Sequence, residues 1–312
     1  MRALLVVNPQ ATTTSPRARG VIIHALASAV DLDVADTLRR GHAQDLARQA
    51  RRDGVDHVLV LGGDGTVNEV VNGLLTDGPG HDVPALGAIP GGSANVFARG
   101  VGLPEHPIEA TGAVIEAIEH KRTRTIGLGV ADWDGGSRWF LCNAGLGVDA
   151  EIIDDMESQR ARGHDATPGR YFQTALAHLL VKTERREPAL TVRRPGVPDV
   201  PGVFLAIVQN SSPWTYLGSL PVDPSPRASY DTGLDLFAPR SLALVHTLGY
   251  VRRMLSRRRG SYPFGGVLSL HDQSGLTVTA SRPTQLQVDG DSAGLTTEVT
   301  FRAVPKALSV LV

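Results

Sequence analysis

Residues 62 to 69 read Gly-Gly-Asp-Gly-Thr-Val-Asn-Glu, set between the apolar run His57-Val58-Leu59-Val60-Leu61 and a helix-forming run from Val67 to Leu75. The three glycines Gly62, Gly63 and Gly65 let backbone amides approach a ligand closely. A helix starting near Thr66 aims its positive end and its unpaired N–H groups at an anion such as phosphate. Asp64 is out of place in such a loop, because a carboxylate repels phosphate unless a cation stands between them. The loop therefore implies a divalent metal, and Mg²⁺ is the usual one. Asn68 and Glu69 add polar groups on the first helical turn. Two other glycine loops are excluded. A P-loop ends in Gly-Lys-Ser or Gly-Lys-Thr, and there is no lysine near residues 62 to 69. The dinucleotide fingerprint requires a third small residue where Asn68 stands, and it has no use for Asp64.

These residues need a scaffold, and the chain supplies one. From residue 1 to about 125, apolar strands (Ala3 to Val7, Val58 to Leu61, Ala85 to Ile89) alternate with helical segments (Arg17 to Ala29, Ala43 to Arg52, Val67 to Leu75, Ile108 to Glu119). That alternation predicts a parallel α/β sheet with ligand loops at the C-terminal ends of its strands. Beyond residue 125, strand-like runs are punctuated by Gly, Pro, Ser and Asp clusters, which predicts a second, mostly antiparallel domain. The expected division is 1–125 for the first domain and 126–292 for the second, with strands at about 293–312 returning to the first.

Several motifs resemble, in order along the chain, the diacylglycerol kinase catalytic domain, which is shared with sphingosine and ceramide kinases and bacterial soluble lipid kinases. Gly62 to Glu69 resembles its nucleotide loop. Asn8-Pro9 resembles its Asn-Pro turn at the ATP site, and Thr37 a nucleotide-contacting Thr. Pro90-Gly91-Gly92-Ser93-Ala94-Asn95 resembles its second loop, Cys142 to Glu151 its Asn-x-Gly-x-Gly-x-Asp turn near the cleft, with Asp149 as the Asp, and Val288-Asp289-Gly290-Asp291 its Val-Asp-Gly-Glu. The resemblance implies an NAD-kinase-like α/β domain followed by a β-sandwich. ATP is then expected between the domains, contacted by Asn8, Pro9, Thr37, Gly62, Gly63, Asp64, Gly65, Thr66, Asn68, Glu69, Gly92, Ser93 and Asn95.

On the same resemblance Asp64 organises Mg²⁺ through water, and Asp289 or Asp291 takes the proton of the acceptor hydroxyl. Without the other motifs, Asp289-Gly290 reads as a plain hairpin turn. The chain departs from the family at four places: Val96 and Gly127 where many bacterial members carry Asp, Asp291 where they carry Glu, and Thr232 where Asp helps to hold a structural metal. Asp231 is the remaining candidate ligand for that metal. The implied reaction is transfer of the ATP γ-phosphoryl group to a lipid alcohol, diacylglycerol giving phosphatidic acid. Open alternatives are a sphingoid or other lipid acceptor, a nucleotide-binding sensor without catalysis, and NAD kinase.

Composition bounds the setting. A net charge of −1 gives no global attraction to nucleic acid. The single cysteine, Cys142, cannot form an internal disulfide, which fits a reducing cytoplasm. No apolar run reaches the roughly 20 residues a membrane span requires. Residues 241–259 instead read as a basic amphipathic helix, with Leu242, Val245, Leu248, Val251, Met254 and Leu255 at helical spacing and Arg252, Arg253, Arg257, Arg258 and Arg259 at one end. Either a core-packed helix with a solvated end or transient contact with the inner face of a membrane satisfies that pattern. A homodimer is left open.

Overall fold

In a computed structural model the structure describes residues 1–9, 15–147, 188–256, 262 and 266–312. The chain forms two compact units, Met1–Leu128 with Pro305–Val312, and Gly129–Val304.

The first unit is built on parallel strands β1 (Arg2–Val7), β2 (Asp31–Asp36), β3 (His57–Gly62) and β4 (Ala85–Pro90), in the spatial order β2-β1-β3-β4. All six residues of β3 are buried, as a central strand covered on both faces requires, whereas β2 at the edge is largely exposed. The C-terminal end of the chain returns beside β4, where Val310 pairs in parallel with Leu86. Between the strands run α1 (Pro16–Ala29), α2 (His42–Arg52), α3 (Asp64–Leu74), α4 (Val96–Gly100) and α5 (Pro107–Glu119). Helix α1 packs on α5 and α2 on α3, and right-handed crossovers place these pairs on opposite faces of the sheet. The α2–α3 contact is close because Gly73 has no side chain. A Cβ there would lie 2.2 Å from the Gln44 carbonyl oxygen. Arg51, largely buried, donates to the Leu74 and Gly78 carbonyls and pairs with Asp82 at 2.7 Å, so it closes the C-terminal end of α3.

The chain order along this sheet reverses between β1 and β3. The connection from β1 leads to one side and that from β3 to the other. Their C-terminal ends leave a crevice where open α/β sheets take ligands.

The second unit is antiparallel. Its strands are β5 (Thr123–Trp133) and β6 (Gly136–Phe140), then β7 (Asn143–Gly147), β8 (Leu190–Arg194), β9 (Val197–Val203), β10 (Leu205–Gln209) and β13 (Leu234–Pro239), with a small β11 (Thr215–Leu217) and β12 (Leu220–Val222) hairpin. Helix α6 (Leu244–Met254) and strands β14 (Val267–Gln273), β15 (Gly275–Val288) and β16 (Asp291–Leu311) follow. Strand β15 runs on through Ser281-Arg282-Pro283, with a register shift between Thr279 and Thr284. Its first half pairs with β8 and its second with β7, so one strand serves two layers and turns the corner between them. Phe140, Leu146, Val192, Val208, Leu236, Val278, Leu286 and Phe301 fill the core that these layers enclose.

Candidate functional site

The crevice of the first unit is lined by the loop predicted to bind phosphate. Helix α3 starts at Asp64 with Gly63 as its cap, and no side chain caps it. The Thr66 and Val67 N–H groups turn back to the Gly63 carbonyl at 3.0 and 3.2 Å, so the N–H groups of Gly63 and Gly65 ahead of them are the ones the helix end offers to a phosphate, which would supply both the acceptor and the charge favoured there. Asn8, following β1, is tied to this loop twice. Its N–H donates to the Leu61 carbonyl at 3.0 Å, and its Nδ2 to the Thr66 hydroxyl at 3.1 Å. Thr37, following β2, is held by its own N–H to the Val7 carbonyl at 2.8 Å. Three strand ends thus bring Asn8, Thr37 and Gly62 to Thr66 to one edge of the sheet.

The second glycine loop lies directly against the first. The Gly91 N–H donates to the Gly62 carbonyl at 2.8 Å, and a Cβ on Gly92 would stand 2.7 Å from the Gly63 Cα. Glycine is required here for backbone approach. Asn95, at φ 48°, closes the second loop by accepting from the Gly92 N–H at 2.9 Å and donating to the Gly92 carbonyl at 2.7 Å. Ser93 is exposed at its tip.

Asp64 is resolved differently from the sequence expectation. Its carboxylate turns to the start of α4, where Oδ2 accepts from the Val96 N–H and Oδ1 from the Phe97 N–H, each at 3.0 Å. Burial pushes its carboxyl above the ordinary carboxylate range, and the Phe97 and Val96 N–H groups pull in the opposite direction. The charge that called for a metal is thus met in part by helix amides. Glu69 is likewise engaged, accepting from the Gly41 N–H at 2.8 Å and the Ala43 N–H at 3.2 Å, so it caps α2. Asn68 is fully buried and accepts from the Asn72 side chain at 3.1 Å within α3. Sequence reasoning placed Asn68 and Glu69 at the ligand; in the structure Asn68 is buried within α3 and Glu69 bonds the start of α2.

Among the described residues no three His, Cys, Asp or Glu side chains gather as a metal set. A Mg²⁺ carried by nucleotide phosphates and waters asks for only one or two protein carboxylates, and Asp64 meets that requirement. The stretch around Asp231 does not fit a protein-held metal. Asp231 is exposed, and the Thr232 hydroxyl donates to the Ser229 carbonyl at 3.1 Å. The buried Asp235 is taken up by His271 Nδ1 at 2.7 Å and the Asp272 N–H at 3.0 Å. That pair ties β13 to β14 beside the stretch where a metal was expected.

In the second unit, Asp289 and Gly290 form the two-residue turn between β15 and β16. Their φ values of 47° and 83° and the Val288–Asp291 pairing are those of a type I′ hairpin. The turn is also a polar anchor. Asp289 Oδ2 accepts from the Leu141 N–H at 2.7 Å, and Oδ1 from the Cys142 and Asn143 N–H groups at 2.8 and 2.9 Å. The Gln287 side chain joins the turn to β7 through Asn143 Oδ1 at 2.9 Å and accepts from the Gly290 N–H at 2.9 Å. Asp291 pairs with Arg138 at 2.7 Å. Arg138 and Gln287 were not foreseen. The signal for Gln287 was a polar residue in an inward-facing strand position. Tyr230 lies near Ser211, Cys142 and Asp289, and burial holds its hydroxyl far above the ordinary range, so it remains a donor. Asp149 and Arg257 to Arg259 lie outside the described residues.

Residues 2–131 match the diacylglycerol kinase catalytic domain. The chain is 40% identical over 123 residues to "Probable lipid kinase YegS-like" of Chromohalobacter salexigens, covering 39% of this chain and 37% of that protein. It is 40% identical over 103 residues to "Lipid kinase YegS" of Escherichia coli, covering 33% of this chain and 34% of that one. These matches therefore span about a third of the curated relatives' length. The fold is similar, over 99% of this chain and 96% of the other, to a diacylglycerol kinase structure from Bacillus anthracis (TM-score 0.72, 19% identity). It is less similar to an NAD kinase from Archaeoglobus fulgidus in complex with ATP (TM-score 0.52, 14% identity, covering 100% of this chain and 94% of that one). The two glycine loops that lie back to back at the switch point of the sheet both fall within residues 2–131, the stretch that is similar to the diacylglycerol kinase catalytic domain.

Proposed function

We propose that this protein transfers the γ-phosphoryl group of ATP to the hydroxyl of a lipid alcohol, with diacylglycerol as acceptor and phosphatidic acid as product. The observation that carries the reading is the uncapped N-terminus of α3, offered at a switch point and flanked by Asn8 and Thr37, with Asp64 turned aside to α4. Phosphoryl transfer calls for little covalent help. It requires aligned phosphates, charge neutralisation and a group to receive the acceptor's proton. Amides of Gly63 and Gly65 and the second loop hold the phosphates, and Asn8 and Thr37 fix the nucleotide's position. Mg²⁺, when bound, would neutralise charge on the phosphates, and Asp64 would be the residue to hold it. Asp289 receives the acceptor's proton. Three amide dipoles hold it in one orientation without cancelling its charge, whereas the charge of Asp291 is met by Arg138.

The test follows labelled γ-phosphate from Mg-ATP into diacylglycerol, monoacylglycerol, a sphingoid base and ceramide in mixed micelles. Label in phosphatidic acid, falling by about 100-fold or more in Asp289→Asn, is the expected result for loss of a general base. Label in another lipid changes the acceptor, and ATP binding with no labelled lipid replaces the kinase by a nucleotide sensor.

A further inference from the structure

Helix α6 has one face that the core explains and one that it does not. Inward, Thr247 and Tyr250 are buried. The Tyr250 ring meets Phe237 and Tyr262 edge-on at 6.0 and 5.9 Å, its hydroxyl donates to the Gly266 carbonyl at 3.1 Å, and Met254 packs on the same cluster with Leu205 and Ile207. Outward, Leu244, Val245 and Leu248 are 52, 67 and 54% exposed. Their spacing of one and four residues places them side by side on a single turn, and exposed Arg252 follows Leu248 by four on that face. The sequence pattern had grouped Leu242 with Val245 and Leu248. Leu242 is in fact buried, so the apolar positions divide between two faces.

A helix packed on a core ordinarily turns polar residues to water. Here three large aliphatics are presented instead, and nothing in the helix counters the charge beside them. Residues 240–270 contain six arginines and no aspartate or glutamate, although the whole chain carries a net charge of −1. Such a face is complementary to a surface that is apolar inside and negatively charged at its boundary. Self-association through it would bring Arg252 of one copy toward the same acid-free helix of another, which is unfavourable.

We infer that α6 is an interfacial docking helix for an anionic phospholipid bilayer. Leu244, Val245 and Leu248 enter the boundary between headgroups and acyl chains, and Arg252 remains at headgroup level. The choice of a lipid surface rests on the lipid-kinase reading. The apolar face and its charge do not.

The experiment is co-sedimentation of the full chain, without ATP, with phosphatidylcholine vesicles containing or lacking phosphatidylglycerol. Wild type is expected to bind the anionic vesicles and to lose binding at high salt. The variant Leu244→Ser/Val245→Ser/Leu248→Ser is expected to bind about tenfold or more weakly, because three aliphatic side chains are withdrawn from the bilayer. Its thermal unfolding is unchanged, because the altered side chains are exposed, and transfer to lipid in detergent micelles is retained. Arg252→Gln lowers binding to anionic vesicles alone. Equal vesicle binding by wild type and the triple variant overturns the inference. So does absence of wild-type binding together with a dimer that the triple variant dissociates. Vesicle binding lost in the triple variant, with no lipid phosphorylated under any condition, upholds the docking helix and removes the kinase reading.

Discussion

Asp64 shows how one carboxylate can serve two demands. Bonded to the Val96 and Phe97 N–H groups, it caps α4, and by the proposed mechanism it would also hold Mg²⁺. Asp64→Asn keeps one acceptor and sets an NH₂ group against one of those amides. The substitution therefore destabilises α4, by about 1 kcal/mol or more. The metal role predicts something a purely capping role does not, namely a raised Mg²⁺ requirement at saturating ATP. Titrating Mg²⁺ with the residual activity of Asp64→Asn separates the two. An unchanged Mg²⁺ dependence, with lowered stability, leaves Asp64 as a cap alone. The aspartate of the loop was legible in the sequence because of its glycine neighbours. Its partner was not, since Val96 lies 32 positions away and offers only a backbone group.

At the scale of elements, the ligand crevice depends on two glycine loops lying in backbone contact. Gly92→Ala places a methyl 2.7 Å from the Gly63 Cα, so the loops must separate and the N-terminal amides of α3 are displaced. ATP affinity is expected to fall by about tenfold or more, on the order of the 1–3 kcal/mol that overpacking costs, with diminished unfolding temperature. Equilibrium binding of a fluorescent ATP analogue, beside thermal unfolding, measures both. Undiminished affinity would show that the contact does not shape the site. Helices and strands of the first unit were legible because each is a local run of one periodicity bounded by turn residues. The fate of Glu69 was not. It lies on the helical turn that the motif marks, yet it reaches across the α2–α3 packing to cap α2, and Gly73 makes that packing possible.

Across the whole molecule, burial holds the carboxyls of Asp64, Asp223 and Asp235 above their ordinary range. A carboxyl with a raised value in the folded state binds its proton more tightly there than in the unfolded chain. Its contribution to stability is complete below the unfolded value, about pH 4, and is lost as pH rises through the folded value. Asp223, which accepts from the Ser212 hydroxyl, is the one to test, because it lies outside the proposed machinery. Asp223→Asn removes the titration while keeping an acceptor for Ser212. The unfolding temperature of the variant relative to wild type is expected to rise between pH 4 and pH 8. A difference independent of pH would show that Asp223 does not titrate in this range.

The amino-acid sequence by itself determined where the first glycine loop stands, which strands and helices flank it, and that an α/β half precedes an antiparallel half. These follow from nearest-neighbour chemistry: glycine conformational freedom, helix and strand periodicity, and the turn preference of Asp-Gly. Only the tertiary structure decided which amides Asp64 and Asp289 engage, that β15 serves two layers, that His271 and Asp235 join the strands where a metal was expected, and which side of α6 faces outward. Each of those outcomes is a pairing between groups far apart in the chain. Backbone N–H groups are alike at every position, so no residue pattern names the one that a carboxylate will meet. Strand pairing and helix packing bring it there.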